Sequence, residues 1–586
     1  MDYALKTSDG SGKRETLGSA IRALAPLLAG ERANISIALV CVIGSSAANL
    51  LTPALIARVI DTAIAHSDYG ALLRYAGLLA VVYVAALGAS YLQTLRTGTI
   101  GRNVLFRLRN QLFTHLSSLP IAFFAQNRAG DLISRVNSDT DRINQFFSQA
   151  LMQTFGNLFL VMGAGIMLLS LNWRLGLIAM IPSLGMVLAT RALAPWLKRT
   201  NRASLDSLGA LSGDISESLA NFQVIVAFNR VDYLREKFSA ANTRNYKAAV
   251  KAGIASGLFQ PLYTLAGSVG SILVLGLGVW LIGRHELTVG LLIGYLLYVT
   301  AFYNPLRQLA TVWSSLQLAL AALDRVSEVL NLQSNLVQIP DAAGGSVGAL
   351  LAFEEVGFSY PGGKQVLDKV SFALDRGRTY ALVGPTGGGK TTTAMLMARL
   401  YDPTQGKVYL GGRDIRGLAP AERADRIGFI LQEPFLLAGT VRDNLVYGNA
   451  ALVGLTDEQL AERIAARGLD GFVARFHEGL ATPIKTGGEG LSLGQKQLVA
   501  FLRAVLRDPE ILILDEATAN IDTVTEQLLE EVLDKLPAST TKVIIAHRLN
   551  TIRNADDIFF VGGGALTEAG SMEHALDMLL SNESTT

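Results

Sequence analysis

The chain has 586 residues, too many for one domain, and half of them are apolar while only 17% are charged, an apolar excess for a soluble protein. Its single cysteine, Cys41, excludes an intrachain disulfide and a cysteine-based metal site. The net charge of +2 singles out no class of partner.

Residues 1–16 are polar and lack the layout of a cleaved signal peptide. Residues 17–30 read as an amphipathic helix lying on a membrane, and residues 1–33 together as a cytoplasmic N-terminus. Six stretches without Asp, Glu, Lys or Arg follow: 34–57, 75–95, 143–173, 175–190, 252–283 and 287–306. The fourth is short and reaches full length only with Arg191 near the headgroups, which a long cationic side chain permits. One such stretch could be a buried soluble helix. Six in series read as a transmembrane domain over residues 34–320, and they argue against a soluble protein acting on nucleic acid.

Orientation follows from the basic loops. The segment between spans two and three carries Arg102, Arg107 and Arg109, and that between four and five carries Lys198, Arg199 and Arg202, whereas residues 61–70 have no Lys or Arg. Both long segments, and both termini, are therefore expected in the cytoplasm. Their apolar spacing is helical, so they read as extensions of the membrane helices that fold back at 120–130 and 221–231. Solvated hairpins without a partner are the alternative. Within the spans the main polar features are Asn49, Asn157, Gln260, Tyr263, Tyr298, Tyr303 and Asn304. Each is either part of a substrate site or a helix-to-helix hydrogen bond.

A linker over 321–348, with a Gly-Gly-Ser-Val-Gly run at 344–348, leads to an α/β pattern over 349–586. There a strand at 379–383 enters Gly384-Pro385-Thr386-Gly387-Gly388-Gly389-Lys390-Thr391, and a helical run through Thr392 leaves it. This is the phosphate-binding loop pattern. Its glycines remove side chains that would block phosphate, and successive backbone N–H groups converge on the anion at a helix N-terminus. Lys390 would reach the β- and γ-phosphates, and the Thr391 hydroxyl would hold Mg²⁺. Downstream, an apolar strand at 511–514 ends in Asp515 and Glu516. An Asp there holds Mg²⁺, and Glu516 is placed to polarise the attacking water.

Taken together with these residues, 346–575 resembles the nucleotide-binding domain of an ABC transporter, and the whole chain resembles a half-size ABC exporter. Val356-Gly-Phe-Ser-Tyr360-Pro361 resembles the leading aromatic loop, so Tyr360, which suits an exposed aromatic at a strand end, would stack on adenine. Gln432 matches the glutamine implied to touch Mg²⁺ and sense the membrane domain. Leu491-Ser492-Leu493-Gly494-Gln495 resembles the signature motif, Asp522 closes the D-loop, and His547 matches the switch histidine at the γ-phosphate. The run 123–131 resembles the region of the first coupling helix.

The resemblance implies a six-helix membrane domain fused to an α/β P-loop domain of ABC type, with ATP and Mg²⁺ as cofactors. It implies hydrolysis coupled to transport across the cytoplasmic membrane. It also implies a dimer of two copies or two related chains, in which Ser492 and Gly494 of one complete the phosphate cage over the other's Lys390. The expected partners are that second half-transporter, membrane lipid, and an apolar or amphipathic small molecule, lipid or peptide, with no nucleic acid. Export is expected. An importer on the same architecture, or an ATP-gated channel, are the alternatives. Three departures from the family pattern stand out: Leu493 in the signature, Glu489 close before it, and Asn520-Ile521 in the D-loop. They lean toward two unlike subunits.

Overall fold

The computed structural model describes residues 3–5, 28–64, 68–336, 338–340, 348–515, 523–545, 554–571, 573–575 and 577–578. They form two compact units: one of Thr7–Ser117 with Gly130–Asn331, the other of Met1–Lys6, Ser118–Ala129 and Leu332–Thr586. The fold-back at 118–129 therefore belongs with the nucleotide-type unit.

The helical unit is built from α1 (Ala29–Ile64), α2 (Tyr69–Ser118), α4 (Ala129–Leu171), α5 (Trp173–Ala220), α7 (Val231–Gly283) and α8 (Val289–Leu330). All six contain stretches long and apolar enough to cross a membrane. Two short helices, α3 (Ile121–Gln126) and α6 (Phe222–Ala227), make the turns expected at 120–130 and 221–231. Helices are the required form here, because lipid offers backbone N–H and C=O groups no partner. Some hydroxyls within the spans are satisfied the same way: Thr52 and Thr94 donate to carbonyls one turn back, at Ala48 and Ser90.

Helix α8 is tied to three neighbours by tyrosines. The hydroxyl of Tyr295 donates to Leu168 O (2.6 Å) or Asn172 O (2.9 Å), Tyr298 donates to Leu50 O (2.7 Å), and Tyr303 to Ala179 O (2.9 Å). Tyr298 and Tyr303 are thus helix-to-helix ties and not open polar groups. Beyond the apolar stretch, Asp61 of α1 accepts from the Gly290 N–H (2.8 Å) and the Thr288 hydroxyl (2.5 Å) at the start of α8. A carboxylate at a helix N-terminus is favourable there, and only glycine fits at 290, since a Cβ would overlap the Ala57 carbonyl oxygen. Toward the other end, α4 and α8 share charges. Arg135 pairs with Glu328 (2.8 Å) and Arg325 with Asp139 (3.2 Å), where Arg135–Asp139 forms a π-helical turn.

The second unit carries two main sheets. An antiparallel one has the order β2-β1-β4-β5, with β1 Leu351–Ser359, β2 Gln365–Leu374, β4 Gln405–Leu410 and β5 Arg413–Asp414. The other has six strands in the order β10-β9-β3-β8-β7-β6. These are β3 Thr379–Val383, β6 Ile427–Ile430, β7 Ile511–Asp515, β8 Thr541–Ile545, β9 Asp557–Gly562 and β10 Ala565–Glu568. All its pairings are parallel except that of β10. Strand β7 shows why an apolar run of this kind must be a central strand. Ile511 and Ile513 enter one hydrophobic core and Leu512 and Leu514 the other.

Just before β7, Glu510 accepts from Arg426 Nε (2.7 Å) and pairs with Arg376 (2.8 Å). Burial pushes its carboxyl up, but the hydrogen bond and charge of Arg426, then those of Arg376, outweigh it and hold it below the usual carboxylate range. A depressed folded value means that the stabilisation is complete above the unfolded pKa and is lost as pH falls through the folded one. We expect Glu510→Gln to lower stability by about 1–2 kcal/mol at neutral pH. In thermal unfolding of the full-length chain, the gap to wild type should close on acidification through that range.

Candidate active site

The parallel strands bring their C-terminal ends to one edge of the sheet. The register pairs Phe560 with Val383, Ile545 with Leu382 and with Asp515, and Ile430 with Leu514. An open α/β sheet binds ligands at this edge. The phosphate-loop pattern starts directly after β3, and helix α9 (Lys390–Met397) leaves it.

The loop's glycines have two separate causes. Gly387 and Gly389 adopt left-handed φ values of +80° and +108°, which other residues avoid. Gly384 and Gly388 are needed for room: a Cβ at either position would run into the Val561 carbonyl oxygen of β9. The turn is therefore pressed onto the neighbouring strand, and its backbone is held in one shape before any anion arrives.

Lys390 is buried, with 6% exposure, and its ammonium donates to the carbonyl oxygens of Gly384 (2.8 Å) and Pro385 (3.0 Å). Those two bonds hold the charge inside the loop, as a buried cation requires. Thr391 Oγ1 donates to Asp515 Oδ1 at 3.1 Å. The alternation of β7 explains the meeting, since Asp515 continues the Ile511–Ile513 face and that core also takes Ala394, Leu396 and Met397 of α9. A hydroxyl and a carboxylate side by side are hard oxygen donors that suit Mg²⁺, which takes one or two carboxylates and completes its shell with phosphate and water. Among the described residues no group of three or more His, Cys, Asp or Glu could hold a metal alone. The donor set therefore fits a magnesium ion that arrives with phosphates.

Tyr360 differs from its expected exposure. It is half-buried, edge-on to Phe358 (4.9 Å) and Tyr401 (5.5 Å), and its hydroxyl lies 3.0 Å from Thr392 Oγ1 in the first turn of α9. The ring closes an aromatic triangle with Tyr401 and Phe358, and its hydroxyl braces the phosphate-loop helix. Sequence reasoning missed that brace. The only available signal was a Tyr and a Thr on elements that both border the loop.

Gln432 is exposed two residues past β6, the strand beside β7, and so lies at the same sheet edge as Asp515. Ser492 caps helix α10 (Leu493–Val505): its Oγ accepts from Gln495 N–H, while Gln495 Oε1 accepts from Ser492 N–H. Such a capping box fixes the first turn. Gly494 faces Thr525 of α11 (Thr523–Leu533), where a Cβ would come within 2.7 Å of the threonine methyl. Glu516, Asp522 and His547 lie outside the described residues. Glu516 and His547 follow the ends of β7 and β8 by one and two positions in the chain.

Comparison with known proteins places two families on the chain. The ABC transporter transmembrane region matches residues 35–306, and the ABC transporter family matches residues 367–519. The chain is 32% identical over 533 residues to an uncharacterized ABC transporter ATP-binding protein, YknV, of Bacillus subtilis, covering 91% of this chain and 88% of that one. It is 32% identical over 504 residues to a fatty acid ABC transporter ATP-binding/permease protein of Mycobacterium tuberculosis, covering 86% and 79%. A multidrug resistance ABC transporter ATP-binding and permease protein of Lactococcus lactis is 30% identical over 493 residues, covering 84% and 83%.

Two substitutions separate the loop's charge from the aromatic brace. Lys390→Ala should abolish ATP hydrolysis and leave membrane insertion intact, read as phosphate release by purified protein. Tyr360→Ala should raise the apparent Kd for ATP about 5- to 150-fold, on the scale of base stacking at about 1–3 kcal/mol. Tyr360→Phe should retain most of that affinity and lose only the brace to Thr392.

Proposed function

Because the chain belongs to the ABC transporter family and joins ATP hydrolysis to transport across a membrane, we propose that it is an exporter of amphipathic molecules that works as one half of a dimer. The observation that carries this reading is the fusion, in one chain, of six membrane-crossing helices with one ATPase unit. Two of each are needed if Ser492 and Gly494 are to cap the phosphates held at the Lys390 of the other chain. The proposed divisions are 34–320 for the membrane domain, 321–348 for the linker and 349–586 for the ATPase, with both termini in the cytoplasm.

Exposed apolar surface supports the dimer. Helix α6 has no buried residue, and Phe222, Val224, Val226 and Phe228 are each at least 48% exposed. Phe222 with Val226, and Val224 with Phe228, stand four apart and so present apolar groups on two sides of a turn outside the apolar stretches. Exposed apolar groups there suit a protein contact, and the nucleotide unit of the second half-transporter is the proposed cover.

The substrate class rests on α7. Its runs Val231–Gly257 and Phe259–Gly283 meet at Leu258, and Pro261 has no N–H to give the Gly257 carbonyl. A groove of about 820 Å³ opens there, lined by Leu193, Leu258, Leu262 and Leu265 together with Gln260, Thr264 and Ser268. The three polar residues recur every fourth position, so they share one face of the helix. Polar side chains within a span avoid lipid. An apolar wall with one neutral hydrogen-bonding stripe suits an amphipathic molecule, and the relatives named for fatty acids and for multidrug resistance favour the same class.

In this reading Lys390 and the loop N–H groups bind the phosphates of ATP, and Thr391, Gln432 and Asp515 hold Mg²⁺. The ion, when bound, offsets charge on the phosphate oxygens. Glu516 takes a proton from the attacking water, His547 contacts the γ-phosphate, and Asp522 serves the contact between the two ATPase units. The solute shifts the equilibrium between inward- and outward-facing forms only by its difference in affinity for them.

Inside-out membrane vesicles test the direction: ATP should drive accumulation of labelled oleate or ethidium inside them. ATP-dependent loss from preloaded vesicles would mean import, and ATP-dependent leak of small ions would mean a channel. Glu516→Gln should retain ATP binding and lose about 10²–10⁴-fold in hydrolysis, the scale of a general base, with nucleotide trapped in the closed dimer. Because a partner site can hide the loss, the measurement belongs in a homodimer or beside a partner lacking its own glutamate. Near-wild-type hydrolysis there, without trapped nucleotide, would assign the base elsewhere.

A further inference from the structure

Tyr3 is among the most deeply buried aromatic residues of the chain, at 2% exposure, although it stands in a polar N-terminal stretch. What buries it lies far away in sequence and within the same compact unit. Its backbone N–H donates to Gln126 Oε1 (2.8 Å), and its carbonyl accepts from Asn127 Nδ2 (2.9 Å). Leu5 N–H donates to Asn127 Oδ1 (3.0 Å). The ring stands edge-on to Phe123, at 6.5 Å between centroids, and Phe123 is itself fully buried. These contacts lay residues 3–5 along α3, the fold-back between spans two and three.

The other end of the tyrosine reaches a second place. Its hydroxyl accepts from the Asn335 N–H (2.7 Å) and donates to Asn335 Oδ1 (2.9 Å) or the Gln333 carbonyl (3.1 Å). Residues 333–335 follow α8 and lead into the ATPase. Four residues on, Ile339 N–H donates to the Arg416 carbonyl (3.2 Å), and Arg416 grips Asp414 of β5 with two side-chain bonds of 3.0 and 2.7 Å. Hydrogen bonds thus join the fold-back, through the N-terminal strap, to the segment entering the ATPase, and a further one joins that same segment to the edge of its antiparallel sheet.

Burial pushes the Tyr3 phenol up, against the opposing hydrogen bond from the Asn335 backbone, so the hydroxyl is neutral and can donate and accept at once. No charge is needed at this joint, and a Phe in its place would keep the ring contact and break only the half toward 333–335.

We propose that Tyr3 is a positioning residue for coupling: the strap seats the first fold-back against the segment entering the ATPase, so that closure of the ATPase units is passed to the membrane helices. The inference rests on the exporter reading above. Tyr3 has partners, Phe123, Gln126, Asn127, Gln333 and Asn335, that belong neither to the phosphate loop nor to the α7 groove. Its effect therefore falls on the ratio between transport and hydrolysis and spares the affinity for ATP.

The test uses the full-length chain with its partner in proteoliposomes, with oleate and ethidium as probes. Tyr3→Ala should lower the probe-stimulated to basal ATPase ratio about 2- to 30-fold, the range over which residues remote from both ligands alter coupling. Basal rate and KM for ATP should stay within about twofold of wild type. Hydrogen exchange should speed up at both 121–127 and 333–339. Tyr3→Phe should speed exchange at 333–339 and leave 121–127 protected, with a smaller loss of coupling. An unchanged ratio in Tyr3→Ala overturns the proposal, as does a parallel fall of basal rate, stimulated rate and Tm, which a merely structural role would produce. If wild-type protein hydrolyses ATP but neither probe stimulates it, the substrate reading fails. The strap is then judged by exchange in the two segments, and unchanged protection in Tyr3→Ala would reject it.

Discussion

A side chain at position 384 has nowhere to go, because the Val561 carbonyl of β9 occupies the space where its Cβ would stand. Much of the catalytic edge follows from that contact. The turn after β3 must lie flat on the neighbouring strand, so α9 starts at a fixed height above the sheet and Thr391 meets the end of β7. Parallel register then brings Asp515 level with Ile545 of β8. The glycines that make room for phosphate in a sequence reading are thus, in part, glycines that make room for protein. Their burden is shared: 387 and 389 supply conformation, 388 supplies clearance, and 384, at φ +154°, supplies both.

The same edge shows how a cation can wait for an anion. Lys390 lies inside the loop, bonded to two carbonyls of the turn it serves. Its desolvation is offset before the ligand arrives, and the backbone that offsets it is held by the strand behind. An arriving phosphate has only to replace carbonyl oxygens already at hydrogen-bond distance. Little reorganisation is left for the binding step, which is the sense in which such a site is preorganised.

Legibility followed the range of the physics. Strand β3 at 379–383, the loop behind it and the apolar strand ending in Asp515 are local patterns, and they were readable from the chain because period, glycine spacing and a terminal carboxylate are local properties. So were the membrane helices, which the absence of charge marks without any tertiary information. Tyr298, Tyr303 and Tyr360 were not readable in the same way. Each is a phenol whose partner is distant in sequence, at Leu50, Ala179 and Thr392, and a phenol in an apolar run looks the same whether it faces a ligand or a carbonyl. Tyr3 is the extreme case, an aromatic in a polar tail whose partners lie more than 120 positions away. The Arg135–Glu328 and Asp139–Arg325 pairs are hidden likewise, since each joins residues more than 180 positions apart.

The two halves are held together by different means. The ATPase sheet is a stack of apolar strands between two cores, where a shift of one residue would invert every face. The membrane helices have lipid around them, so apolar contact gives them little preference for one another over the bilayer. What distinguishes one packing from another there is a short set of directional bonds: three tyrosines of α8, Asp61 at one end and the paired charges of α4 and α8 at the other. In contrast, the three exposed polar residues of α7, Gln260, Thr264 and Ser268, make no such tie to α8: Thr264 donates to its own helix, at Gln260 O. The tyrosines of α8 thus hold α1, α4 and α5 by hydrogen bonds, whereas α7 meets α8 through apolar packing, with Tyr263, Ala266, Val274 and Leu281 in the core that the three tyrosines share.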